Sequence, residues 1–235
     1  MYSAKEIVVE NAAELAAHNQ HEFCLIRRQG FGASDASTVL GVNKWNKIED
    51  VLVQKQSSEV TEEELKVGQK PQVRMGNDLE PLILEKFKEW AGTDKIEKPE
   101  AMYRLTKYPW LTINYDGLWL DTPVEIKTVS MFASKYWDWD KALDSPSSTK
   151  PNAPYIGTTD PAMRLEVLSA HYGVPDYYIT QVQQQLLGTE ANGAYLVALD
   201  VKNWEVRVFW IWEDEELQRK IIERSYEYAN QIGLV

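Results

Sequence analysis

The sequence predicts a mixed α/β (α+β) fold, a twisted mixed β-sheet flanked by helices, on two kinds of pattern. Alternation of β-branched and aromatic residues with period two runs through 102–129 and returns at 194–198 and 204–212. Helical periodicity marks 71–91, where Met75, Leu79, Leu82, Ile83, Phe87 and Trp90 share one face, and again 176–188 and 214–232. Strands framed by amphipathic helices bury both faces of a sheet, which defines the layered class.

Taken in order, residues 5–29 read as helical, with a polar break at His18-Asn19-Gln20. Gly30-Phe31-Gly32 interrupts, and Ser34 or Asp35 caps a short helix ending near Gly41. A further short helix is expected over 47–56, followed by a charged, solvated stretch at 57–66. Within 71–91, Pro81 removes a backbone donor directly after Glu80 and is expected to kink or restart the helix. Strands at 115–120 and 124–129 are joined by the turn Asp121-Thr122-Pro123. The least regular part is 131–175, which holds Trp137, Trp139, a loop with Pro146, Pro151 and Pro154, and a helix at 161–171. Its aromatic residues suit core or interface better than a base-stacking role. The length of 235 residues suits one domain, 1–235, with 131–175 as an irregular insertion.

Composition narrows the function classes. No apolar run approaches the roughly 20 residues of a membrane helix, so no membrane partner is expected. Met1 to Glu6 lacks the basic-then-apolar order of a leader. A lone cysteine, Cys24, makes neither an internal disulfide nor an iron–sulfur site, and a reducing, cytoplasmic setting follows. The net charge of −11 argues against indiscriminate nucleic-acid binding, since phosphate affinity comes from Lys and Arg. It leaves room for an enzyme that gathers its cations along one channel. His18, His21 and His171 show no ligand or nucleophile spacing.

The chemistry is carried by Asp116 followed by Val124-Glu125-Ile126-Lys127. Alternate strand residues share a face, so Glu125 and Lys127 point together, about 6.6 Å apart, while Val124 and Ile126 face the core. A hairpin brings Asp116 beside them. Two carboxylates and the Ile126 carbonyl suit one Mg²⁺ or a closely spaced pair, and Mn²⁺ takes the same oxygen ligands. Such a set serves phosphodiester hydrolysis, with Lys127 positioning or deprotonating the attacking water. On spacing alone, a cross-strand salt bridge explains it equally well. A second Glu-x-Lys, Glu64-Leu65-Lys66, falls in the charged stretch without a hairpin or a facing aspartate.

Asp116-Gly117, a hairpin and Glu125-Ile126-Lys127 resemble the PD-(D/E)XK nuclease motif. Upstream, Gly76-Asn77-Asp78-Leu79-Glu80-Pro81 resembles the helix that supplies a further carboxylate. Downstream, Ile179-Thr180-Gln181-Val182-Gln183-Gln184-Gln185-Leu186 resembles the glutamine helix. Arg28 with Gly32-Ala33-Ser34-Asp35 resembles the phosphate-contacting segment. The ordered set, over about 21–200, is similar to the lambda-exonuclease-like branch, the phage-type, YqaJ-like recombinase nucleases.

That resemblance implies metal ligands at Asp116, Glu125 and the Ile126 carbonyl, with Glu80 assisting directly or indirectly. Gly76, lacking a side chain, would leave room beside Glu80. Gln181 would hydrogen-bond the metal-held water or a phosphate, with a polar helix face of Gln183, Gln184 and Gln185 as the competing explanation. Arg28 and Ser34, with Asn114 nearby, would hold a terminal 5′-phosphate, the bland alternative being a helix cap and a surface arginine. The implied activity is 5′-to-3′ digestion of linear duplex DNA, releasing mononucleotides and leaving a 3′ single strand. Implied partners are duplex ends, a single-strand annealing protein and a ring-shaped homotrimer, in a phage-infected or prophage-bearing bacterial cell. The alternatives are a structure-specific or restriction-type endonuclease of the same fold, and a module that binds DNA ends or a partner without cutting.

Overall fold

The computed structural model describes residues 5–235; Met1 to Ala4, part of the stretch read for a leader, lie outside them. The chain opens with strand β1 (Lys5–Val9), then α1 (Ala12–His18) and α2 (Gln20–Arg27). The break between these helices falls at Asn19, whose side chain accepts the Glu22 N–H at 3.3 Å. Strand β2 (Phe31–Gly32) leads through a 3₁₀ turn at Ala33–Asp35 into α3 (Ala36–Val39). Next come α4 (Ile48–Gln56), α5 (Glu62–Leu65), and the long α6 (Pro71–Ala91). Strands β3 (Ile96–Glu97), β4 (Met102–Leu105), β5 (Leu111–Ile113), β6 (Gly117–Trp119) and β7 (Thr122–Val129) follow. The chain closes with α7 (Pro161–Tyr172), α8 (Asp176–Leu186), β8 (Gly193–Asp200), β9 (Glu205–Trp212) and α9 (Glu215–Gln231).

The expected single sheet is two. One has the order β1-β4-β5-β2 and the other β3-β6-β7-β8-β9. Both are mixed, through the parallel pairs β2–β5 and β7–β8. The 5–9 segment, read as helical, is a strand because β4 offers it an antiparallel partner, with Lys5 facing Leu105. Its Ile7-Val8-Val9 run suits that pairing. The β6–β7 turn is also displaced: Trp119 pairs with Thr122, so Leu120 and Asp121 make the turn, Leu120 at φ 57°. Asp121 Oδ2 then accepts the Glu190 N–H at 2.5 Å.

Alternation sorts the five-stranded sheet into two faces. Val124, Ile126, Tyr195, Val197 and Leu199 pack against Ile83, Leu84 and Phe87 of α6. Leu196, Ala198, Phe209 and Ile211 pack against α7, α8 and α9 through Leu165, Leu168, Ile179, Val182, Leu217 and Ile221. Helix α6 runs unbroken through Pro81 and ends at Gly92 in the left-handed conformation, φ 65°. Pro81 therefore removes the bond to the Asn77 carbonyl without restarting the helix.

Residues 131–175 fold onto the open edge of this sheet. Leu143 N–H donates to the Val208 carbonyl at 2.7 Å, so the segment covers β9, whose free edge would otherwise invite pairing with another chain. Trp137 and Trp139 stack at 5.3 Å and pack on Phe209, which makes them core. Arg164 pins the loop, donating to the carbonyls of Thr158 (2.8 Å) and Ile156 (3.3 Å) and to Asp214 (2.6 Å). Among the described residues, no helix is long and apolar enough to cross a membrane.

Candidate active site

The site forms where the chain passes from one sheet to the other. The Asn114-Tyr115-Asp116 bend joins β5 to β6, so Asp116 precedes the strand in which the sequence placed it. The β6–β7 ladder stops at Gly117–Val124. Beyond that pair, Asp116 Oδ2 accepts the Ile126 N–H at 2.8 Å, and a side chain takes over where the ladder ends.

Glu125 lies on the α8 face of β7, fully buried. Lys127 Nζ donates to Glu125 Oε1, as does Gln181 Nε2 at 2.5 Å. Gln185 Nε2 donates to Glu125 Oε2 at 2.5 Å and to the Asn114 carbonyl at 3.2 Å. A buried carboxylate is tolerated when its lone pairs are filled by such charge-assisted bonds. The competing account of α8, a polar face at Gln183, Gln184 and Gln185, is corrected, because all three are fully buried. Gln183 donates to the Trp212 carbonyl at 2.9 Å, and Gln184 donates to those of Phe31 (2.8 Å) and Thr112 (3.1 Å). Helix α8 thus ties both sheets together. Gln185 is the residue that sequence reasoning missed, although its spacing of four from Gln181 signals a shared helix face.

A cleft of about 240 Å³ opens beside this group, lined by Gly76, Asn77, Glu80, Asp116, Ile126, Lys127 and Thr128 among others. Glu80 is held across it by Lys98, at 2.5 Å. A Cβ added to Gly76 meets nothing within 4 Å, so the room expected there exists. Thr128 carries a buried Oγ1 with no hydrogen-bond partner. Burial, with Glu125 and Glu80 nearby, pushes the Asp116 carboxyl up to about 8, against the opposing pull of Lys127 and the Ile126 N–H. For Lys127, burial acts to lower the ammonium, but Glu125 and Asp116 outweigh it and raise it above its ordinary value.

Among the described residues, no three His, Cys, Asp or Glu side chains form a ready-made metal cluster. The donors at the cleft are hard oxygens, from Asp116, Glu80 and the main chain at Ile126, with the Glu125 carboxylate buried behind them in its bonds to Lys127, Gln181 and Gln185. With the unpartnered Thr128 hydroxyl beside them, they fit a divalent cation of the Mg²⁺ type.

The second group of predicted residues divides. Gly32 pairs in parallel with Thr112, so Ser34 and Asn114 both lie two positions beyond the last pair, at the end leading to Asp116. Both are exposed. Arg28 points elsewhere. Its guanidinium is buried and donates to the carbonyls of Ser57 (2.8 Å) and Glu59 (3.0 Å) and to Glu64 (2.7 Å). The stretch 57–66 is otherwise largely exposed, as expected, but Glu64 is drawn inward by Arg28 and by the Gln54 amide, likewise at 2.7 Å. The arginine beside Ser34 is the exposed Arg27, whose Nη2 donates to Ser34 Oγ at 3.2 Å. Capping in this segment is done by Asp35, which accepts the Gly32 N–H at 3.0 Å. Below it, the nearly buried Lys55 donates to the Gly30 carbonyl at 2.6 Å and to Asp35 at 3.0 Å.

An aspartate at a sheet junction, Glu-x-Lys on the next strand and a glutamine helix behind them constitute the PD-(D/E)XK arrangement in its lambda-exonuclease-like form. Residues 22–192 match the family model of the YqaJ-like viral recombinase domain, and the chain belongs to that family. It is similar to the uncharacterized protein YqaJ of Bacillus subtilis (strain 168), 26% identical over 228 residues, 93% of this chain and 59% of the relative. The chain thus spans little more than half of that relative's length. The fold resembles that of an alkaline exonuclease, LHK-Exo, from Laribacter hongkongensis. There the TM-score is 0.58 at 16% identity, covering 90% of this chain and 92% of the other. A second structure of LHK-Exo, in complex with dAMP, superposes with a TM-score of 0.57 at the same identity and coverage.

Proposed function

We propose that this protein is a Mg²⁺-dependent deoxyribonuclease that digests linear duplex DNA 5′ to 3′ from phosphorylated ends. The observation that carries the reading is the hydrogen-bonded group of Glu125, Lys127 and Gln181, with Asp116 bonded to the Ile126 N–H beside it and Asp116 and Lys127 lining the cleft. A salt bridge alone needs neither the second carboxylate nor two glutamines locking the first.

Asp116, Glu125 and the Ile126 carbonyl would hold one cation or a close pair, with Glu80 assisting once released from Lys98. When bound, Mg²⁺ (or Mn²⁺) would offset charge on the scissile phosphate and acidify the attacking water. Lys127, held protonated by its two carboxylates, orients that water or a phosphoryl oxygen. Gln181 keeps Glu125 in its rotamer. Ser34, Asn114 and the exposed Arg27, in place of the buried Arg28, are the groups offered to a terminal 5′-phosphate. Membership of a recombinase family favours work beside a single-strand annealing protein in a phage-infected or prophage-bearing cell, and a ring-shaped trimer fits processive digestion.

The test is Mg²⁺-dependent release of nucleotides from 5′-phosphorylated linear duplex, with closed circular DNA and Lys127→Ala as controls. Release from the linear substrate alone, lost in Lys127→Ala, is the expected result. Cutting of the circle would make the protein an endonuclease of the same fold. No metal-dependent cutting of either would leave a module that binds ends without hydrolysing them.

A further inference from the structure

Aromatic rings continue outward from the catalytic lysine. Lys127 Nζ lies 5.3 Å from the centre of the Tyr178 ring. Tyr178 meets Tyr177 at 4.3 Å, and Tyr177 meets Trp45 edge-on at 5.0 Å. Both tyrosines sit at the start of α8, one turn before Gln181. Trp45, at the outer end of the row, is 69% exposed. The Trp45 main chain is held in place, because Asn43 Oδ1 accepts its backbone N–H at 2.8 Å while the Asn43 amide donates to Ser37 at 2.9 Å. By contrast, the exposed Tyr155 and Trp204 have no ring neighbour among the described residues. A contiguous row of rings that begins at an active-site lysine and ends in an exposed indole is a surface suited to being covered.

We propose that Trp45 and Tyr177 form a shelf on which unpaired bases of the substrate strand stack as it enters the cleft. This rests on the nuclease reading for the identity of the strand. Charge argues for the occupant. A chain of net charge −11, with Asp116 and Glu80 lining its cleft, gains little from phosphate attraction. Stacking on π faces is independent of that charge and tolerant of sequence. Bases inside a duplex have both faces covered by their neighbours, so the shelf takes the strand only where it is frayed or single.

The measurement is equilibrium binding, in EDTA, of a fluorescent single-stranded oligonucleotide against an abasic oligonucleotide of equal length and charge. Wild type is expected to prefer the base-bearing strand about ten-fold, the scale of one or two stacked bases. Trp45→Ala, at an exposed position, is expected to shrink that ratio toward one, and Trp45→Phe to restore most of it. Equal affinity of wild type for the two strands, in a protein that does cut DNA, overturns the shelf and spares the nuclease. A preference that survives Trp45→Ala also overturns it. A preference lost in Trp45→Ala, in a protein that hydrolyses nothing with Mg²⁺, keeps the shelf and overturns the nuclease reading.

Discussion

Gln185 Nε2 and Gln181 Nε2 grip the two oxygens of Glu125 from one face of α8, each at 2.5 Å. Because Glu125 has no solvent contact, these amides and Lys127 supply the hydrogen bonds that water would otherwise provide. Catalytic geometry at Glu125 is therefore coupled to the packing of a helix on the other side of the sheet from α6.

Gln185→Leu tests that coupling. A hydrogen bond to a charged group contributes about 1.5–3 kcal/mol, and the substitution leaves a buried carboxylate oxygen unpaired. Stability in a urea titration is expected to fall by about 2 kcal/mol. DNA hydrolysis is expected to drop at least about ten-fold, the equivalent of 1.4 kcal/mol in the barrier. An unchanged urea midpoint would remove the argument.

Asp116 makes the metal-free protein sensitive to pH. Its carboxyl is raised from 3.8 to about 8 in the folded chain, chiefly by burial. A raised acid binds more protons folded than unfolded between those values, so stability declines as pH rises through the window. Melting temperature in EDTA is expected to fall between about pH 4 and pH 8. Asp116→Asn should flatten that slope while abolishing hydrolysis. A wild-type melting curve flat across this range would contradict the assignment.

The neighbouring arginines should separate cleanly. Arg28→Met strips the loop at 57–64 of its donor and is expected to cost about 2–3 kcal/mol while leaving affinity for a 5′-phosphorylated end unchanged. Arg27→Ala should do the reverse. Glu64, although its partial burial works the other way, is held down to about 2 by bonds from Thr61, Gln54 and Arg28. Its contribution is complete above about pH 4.5 and fades as pH falls toward 2, so Glu64→Gln should blunt acid unfolding in circular dichroism. Loss of end binding in Arg28→Met, with stability intact, would return the phosphate role to Arg28.

Gly76→Ala isolates the space beside Glu80. A new Cβ touches nothing in the protein, and alanine stabilises a helix interior by about 0.5–1 kcal/mol relative to glycine. The variant is expected to melt at the same temperature or higher, yet with a raised KM for DNA, because the methyl group enters the cleft. Unaltered kinetics would show that substrate keeps clear of Gly76.

Strand β7 was legible because Val124 and Ile126 alternate with Glu125 and Lys127, and the periods of α6, α8 and α9 were legible for the same local reason. The 5–9 strand was not, since its five residues become a strand only by pairing with β4. Nor could the sequence choose between Arg27 and Arg28. Successive helix positions point about 100° apart, and which one turns inward depends on where the loop at 57–64 docks. The burial of Gln183, Gln184 and Gln185 was hidden likewise, because amides look solvated until carbonyls from another sheet arrive to receive them.

What the sequence determined by itself is the identity of the chemical groups and the faces they share: Glu125 with Lys127, Glu80 near Gly76, Gln181 on the helix that follows. Tertiary structure alone decided that Asp116 sits on a bend between two sheets, that Gln185 completes the hold on Glu125, and that Arg28 belongs to the core. Periodicity is a property of neighbouring residues and survives in the sequence. The partner that each face meets is set by contacts between distant segments, and those exist only once the chain has folded.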